Sequence, residues 1–188
     1  MRAVPARVPP SVLGMTLFVA SEVMFFGALF ASYFLLQGTT SPWPPEGAME
    51  TPLLLLGALT AVLLASSATV HAGTAALHAG RRGSAGRWLG AMIGLGAVFL
   101  GGQAYEYAGL AGEGFTASSD VYSSLFFTIT GFHGLHVAIG LVMLATLWLR
   151  RDRYVRPARG GPAEAAAYYW HFVDAVWVLV FLTLYVVR

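Results

Sequence analysis

The run from Val121 to Leu149 contains no Asp, Glu, Lys or Arg. At about 1.5 Å per helical residue it is long enough to cross the roughly 30 Å of a bilayer's hydrocarbon core. Backbone N–H and C=O groups find no water in hydrocarbon and must pair internally, so a stretch like this has to be a transmembrane helix. Four further runs share the pattern, and the sequence predicts spans over about 12–36, 53–77, 88–110, 121–149 and 164–187. With 57% hydrophobic and only 11% charged residues, the 188-residue chain is too apolar for a soluble domain of its size. The expected fold is all-α: a multi-pass membrane protein with a bundle of five transmembrane helices in a single domain.

The chain has no cysteine. That excludes disulfide frameworks, thiolate nucleophiles, and zinc or iron–sulfur sites built on cysteine. Met1 to Pro10 holds Arg2, Arg7 and three prolines instead of a short apolar segment with a cleavage site, so no signal peptide is expected. Between the first two spans, Gln37 to Pro52 is rich in proline and holds Trp43, Glu46 and Glu50. It reads as a loop with an aromatic at the membrane boundary.

All the basic residues are arginine, and they are sorted by side. Five spans put the termini on opposite faces. The amino-terminal segment, the loop after the second span (Arg81, Arg82, Arg87) and the loop after the fourth (Arg150, Arg151, Arg153, Arg156, Arg159) then share one face, leaving only Arg188 on the other. The positive-inside rule places the amino terminus in the cytoplasm and the carboxyl terminus outside. The acidic loops with Glu46, Glu50, Glu113 and Asp120 face outward. The spans do not divide into two similar halves, which argues against an inverted-repeat transporter.

Polar residues inside spans carry the functional question. Glu22 lies roughly 15 Å into the first span, where a bare charge costs at least about 2.5 kcal/mol, so it should be neutral or paired. Either it makes a hydrogen bond across a helix interface or it handles protons. His133 and His136 stand three apart, about 300° of helical turn, and so share a face. Gly131 and Gly134 flank that face and allow a close neighbour. His171 and Asp174 repeat the spacing on the fifth span.

Antiparallel packing of those two spans could gather all four side chains, which leaves an intramembrane metal site open. The simpler reading has each group satisfy a neighbour, with Asp174 accepting from a histidine N–H. It is preferred because both patterns are short and common. His71 and His78 close the second span, a small-residue helix suited to tight packing. Gln103 and Glu106 near the exit of the third span read as a cap or an interhelical hydrogen-bonded pair, and Gly90 and Gly94 at its start as a GxxxG packing site. The aromatics Phe25, Phe26, Phe30, Tyr33, Phe34, Tyr168, Tyr169, Trp170 and Trp177 suit packing and interface belts, or a haem, quinone or lipid groove. Arg150 and Arg151 suit either orientation signalling or lipid phosphate.

Taken together, SEVMFFGALFASYF (21–34), WPPEG (43–47), GQAYEY (102–107), FFTITGFHGLHVAIG (126–140) and YYWHFVDAVWVLVFLTLYV (168–186) resemble subunit III of the haem-copper oxidases. The resemblance runs in order from Ser21 to Val187 and is nearest the cytochrome c oxidase branch. A quinol oxidase or a nitric oxide reductase is the runner-up. The resemblance implies an accessory subunit that binds no cofactor, with haem and copper held by partner subunits. It would pack on catalytic subunit I, in a complex that includes subunit II. It also implies bound phospholipid, support of sustained proton uptake and of stability under turnover, and a bacterial plasma membrane. No nucleic-acid partner is expected. Glu22 matches the family's carbodiimide-reactive glutamate, and His133, His136, His171 and Asp174 match motif positions that serve there as structural polar contacts. Mitochondrial-type members have seven helices. The two that are missing here form one wall of the family's lipid-holding cleft.

Overall fold

A computed structural model describes residues 9–45, 47, 52–154 and 161–187. Arg2, Arg7, Glu46, Glu50, Arg156, Arg159 and Arg188 lie outside the described residues. The elements are α1 (Pro10–Thr39), α2 (Leu53–His78), α3 (Arg82–Gly112), α4 (Val121–Leu149), a short α5 (Arg151–Tyr154) and α6 (Gly161–Phe181), which continues into a π-helical segment, Leu182–Val187. There is no strand among the described residues. Counting α6 and its π-helical continuation as one span, five helices are long and apolar enough to cross a membrane.

The fourth span has the predicted limits, while the third begins six residues before the expected Trp88. The reason is local. Arg81 N–H bonds Ala76 O at 2.9 Å and Gly80 N–H bonds Leu77 O at 3.0 Å, closing α2 with a Schellman turn around Gly80 at φ 73°. Only glycine takes that backbone without strain, and the chain reverses at once into α3. Arg82 to Arg87 is therefore helix, not loop, and carries its charges on turns at the end of the span. Gly114, at φ 89°, closes α3 in the same manner. Asp120 caps α4 by accepting from Ser123 N–H at 2.8 Å and Ser123 Oγ–H at 2.6 Å.

α6 is the central helix and packs against α1, α2 and α4. Its buried Trp170 and Trp177 anchor it to α2, their indole N–H groups donating to Ser66 Oγ and Thr60 Oγ1, each at 2.9 Å. Trp177 also packs edge-on against Phe99 of α3, with centroids 4.7 Å apart. α1 is peripheral. It buries only Val19, Phe26 and Tyr33, and exposes Leu17, Val23, Met24 and Leu35.

The two ends of the bundle differ in chemistry. One end gathers the start of α3, the end of α4 and the start of α6. Trp148 N–H donates to Gly86 O at 2.9 Å, Arg82 lies 3.5 Å from Asp152, and His78 lies 3.5 Å from Glu164. Every described arginine is there. The opposite end has Glu113 and Asp120, with Trp43 packed edge-on against Tyr33 and Tyr122 at 5.4 Å each. The loop tryptophan is thus half-buried against the bundle.

Candidate functional site

The polar side chains of the spans form three separate constellations. On α4, the ring of His136 reaches Glu22 of α1, with Nε2 and Oε2 3.0 Å apart and side chains only 10% and 17% exposed. Its other nitrogen, Nδ1, sits 2.7 Å from the carbonyl oxygen of Phe132, one turn back. A carbonyl only accepts, so Nδ1 must carry a hydrogen. A single proton then lies between Nε2 and Oε2. Held by the carboxyl it gives a neutral pair, and held by the ring it gives an ion pair. Phe25, Phe26 and Tyr169 surround the ring, with the Phe26 centroid 5.1 Å away. The expectation that Glu22 is neutral or paired has a concrete partner, a histidine on another helix.

His133, one turn earlier, takes a different direction. It is fully buried, edge-on to Phe99 of α3 at 5.8 Å and tilted against Trp177 of α6 at 4.9 Å. Neither ring nitrogen has a hydrogen-bond partner among the described residues. The sequence reading that the two histidines look toward one neighbour is corrected here. A spacing of 300° still leaves them 60° apart, and in a crowded bundle that sends one ring to α1 and the other between α3 and α6.

The second constellation joins α2 to α6. Ser67 Oγ donates to Asp174 Oδ2 and lies 2.9 Å from His171 Nδ1. A hydroxyl has one hydrogen, already given to Asp174, so His171 Nδ1 is the donor to Ser67. Asp174 accepts from a serine and not, as the sequence suggested, from a histidine. Nor do His133, His136, His171 and Asp174 converge. His71, one turn from Ser67, is exposed and within electrostatic reach of His171. Among the described residues no three His, Asp or Glu side chains group closely enough to hold a metal ion.

The third lies toward the outer end of α3. Gln103 Nε2 donates to Thr130 O at 2.9 Å, and Tyr185 OH donates to Glu106 Oε2 at 3.3 Å. Gln103 and Glu106 are buried and bind α4 and the end of α6 respectively, so they do not pair with each other. Thr130 gives its hydrogen to Phe126 O at 2.6 Å, so Tyr107 OH is the donor in its 2.6 Å contact with Thr130 Oγ1. Close helix approach follows the sequence reading at Gly134 and departs from it at Gly94. An added Cβ would meet nothing within 4 Å at Gly94, but would lie 2.8 Å from Gln103 Oε1 at Gly134 and 2.9 Å from the Trp170 ring at Gly140.

At the arginine-rich end, Arg150 is exposed just past α4. Arg151 lies over the Trp148 ring, 5.5 Å from its centroid, and donates to Trp148 O at 2.9 Å. With Arg82, Arg87 and Asp152 it lines a cavity of about 300 Å³. Between α1 and α6, Val23, Phe26, Phe30, Phe172 and Leu179 line an apolar groove of about 260 Å³. The sequence reading missed Ser66, Ser67, Thr60, Thr130 and Tyr185. The one available signal was a pair of adjacent serines inside an apolar run. It read equally well as small-residue packing.

The family model described as "Cytochrome c oxidase subunit III" matches residues 10–187. The chain is 43% identical over 178 residues to a probable cytochrome c oxidase subunit 3 of Nocardia farcinica, covering 94% of this chain and 87% of that protein. It is 40% identical over 177 residues to the cytochrome c oxidase subunit 3 of Thermostichus vulcanus, covering 93% and 86%. The corresponding protein of Corynebacterium diphtheriae is 40% identical over 182 residues, covering 94% and 87%.

Proposed function

The chain belongs to the cytochrome c oxidase subunit III family, and from that premise we propose that it packs on the catalytic subunit of a bacterial oxidase and supports proton uptake and stability during turnover. One observation carries this reading. Polar groups of the spans bond between helices in three places, Glu22 with His136, Ser67 with His171 and Asp174, and Glu106 with Tyr185. Polar chemistry used in this way holds a bundle together. Oxygen reduction would then use haem and copper held by the partner subunits.

The orientation places the arginine-rich end in the cytoplasm of a bacterial cell, supported by the clustering of Arg81, Arg82, Arg87, Arg150, Arg151 and Arg153 at one end of the bundle and by the bacterial sources of the relatives. Phospholipid would cover the apolar outer face of α1, its acyl chains against the groove lined by Phe30 and Phe172. Its phosphate would meet arginines such as Arg150 and Arg151. The protein acts as one transmembrane unit.

The test is oxygen consumption followed to exhaustion in wild-type oxidase, the Glu22→Gln variant and enzyme stripped of this subunit. A supporting subunit leaves initial rates nearly equal, and the stripped enzyme inactivates after fewer turnovers. Glu22→Gln keeps a hydrogen bond to His136 and should track wild type throughout. An immediate collapse of its initial rate would return catalysis to this chain.

A further inference from the structure

Seven His, Asp and Glu side chains lie well inside the spans, and the bundle treats two of them differently. Glu22, Glu106, His133, His136 and Asp174 are buried or half-buried, whereas His71 of α2 and His171 of α6 are exposed. They lie on one seam. It begins at the arginine-rich end with His78 and Glu164, 3.5 Å apart, passes His71 and His171, and ends at Ser67 and Asp174. His171 stands ten residues from the start of α6, roughly 15 Å deep. An imidazole there cannot turn its free nitrogen to acyl chains without leaving it unpaired in hydrocarbon.

The hydrogen bonds define what is missing. His171 Nδ1 donates to Ser67, so in the neutral ring Nε2 is an acceptor on the outward side, and no described residue supplies it with a donor. Asp174 Oδ1, buried beneath, also lacks a partner. The exposed hydroxyls on α1 behave otherwise. Thr16, Ser21 and Ser32 each return their hydrogen to their own backbone, as a lipid-facing residue must.

We propose that the α2/α6 seam is a docking face for a transmembrane helix of another oxidase subunit, one that presents a hydrogen-bond donor, such as a Ser, Thr, Asn or Tyr side chain, to His171 Nε2. The proposal rests on the accessory-subunit reading and adds the face and the chemistry of contact. The outer face of α1, by contrast, carries apolar side chains suited to lipid.

A photoreactive residue placed at Ala68 or Ala75 of α2, both exposed and within a turn of His71, tests this in the purified complex. Leu17 and Met24 of α1 serve as the contrasting positions. The seam probes should attach to another oxidase subunit, identified by mass spectrometry, and the α1 probes to lipid. Seam probes that attach to lipid or to a second copy of this chain, in a complex that still co-purifies, overturn the docking face alone. A chain that never co-purifies with the oxidase overturns the accessory reading and the docking face with it. Independently, the double variant His71→Leu, His171→Leu removes the outward acceptor together with the internal His171–Ser67 contact, and Ser67→Ala, which removes that internal contact but leaves the outward acceptor, is its control. The double variant should be lost from the complex on detergent exchange roughly tenfold more readily than wild type or the control, and loss equal to that of the control would overturn the docking contact. Unchanged retention would overturn the proposal.

Discussion

His136 Nε2 lies 3.0 Å from Glu22 Oε2, joining α4 to α1 through one shared proton. A peripheral helix with few buried side chains is thus held to α4 by a polar contact. Aromatic packing around the ring excludes water and strengthens that contact.

The pair should therefore show measurable coupling. In a double-mutant cycle of Glu22→Leu and His136→Leu, read as the temperature at which the subunit leaves the complex, the coupling should be about 0.6 to 1.7 kcal/mol. Additive single effects would mean that the two side chains act independently.

Asp174→Ala and Ser67→Ala should each loosen α6 from α2. Ser67 is the partner of both Asp174 and His171, so Ser67→Ala, which leaves both short, should cost more than Asp174→Ala, about 1–3 kcal/mol. Proteolysis of the detergent-solubilised complex would report it as faster cleavage of this chain. Equal protection in Asp174→Ala and wild type would remove the seam's structural role.

Glycine substitutions separate true close approach from sequence pattern. Gly140→Ala would press a methyl into the buried Trp170 and Tyr169 rings, at 2.9 and 3.2 Å, and should destabilise by about 1–3 kcal/mol. Gly94→Ala meets open space and should be neutral or stabilising by up to about 1 kcal/mol. The midpoint of thermal unfolding in the same detergent compares them. The reverse order would contradict the packing described.

A reporter fused after Arg188 should be exported, and one inserted in the Arg150 to Arg159 loop should stay inside. Cytoplasmic activity from the carboxyl-terminal fusion would invert the topology, since the arginine-rich end would then face outward.

Much of this protein is written locally in its sequence. Hydrocarbon thickness is a fixed length and an unpaired backbone is intolerable within it, so apolar runs alone define the five spans, and arginine placement alone separates the two ends. The same locality made Glu22, His133, His136, His171 and Asp174 stand out, because polar groups are rare in such runs. Their partners were not legible. Ser67 meets His171 across 104 positions of sequence, and His136 meets Glu22 across 114, distances over which periodicity carries no information. Sixty degrees of rotation divides His133 from His136 and sends them to different helices. Which helices are neighbours, and at what rotation, depends on how Trp170 and Trp177 seat α6 against α2 and α3, and that is decided only when the whole bundle packs.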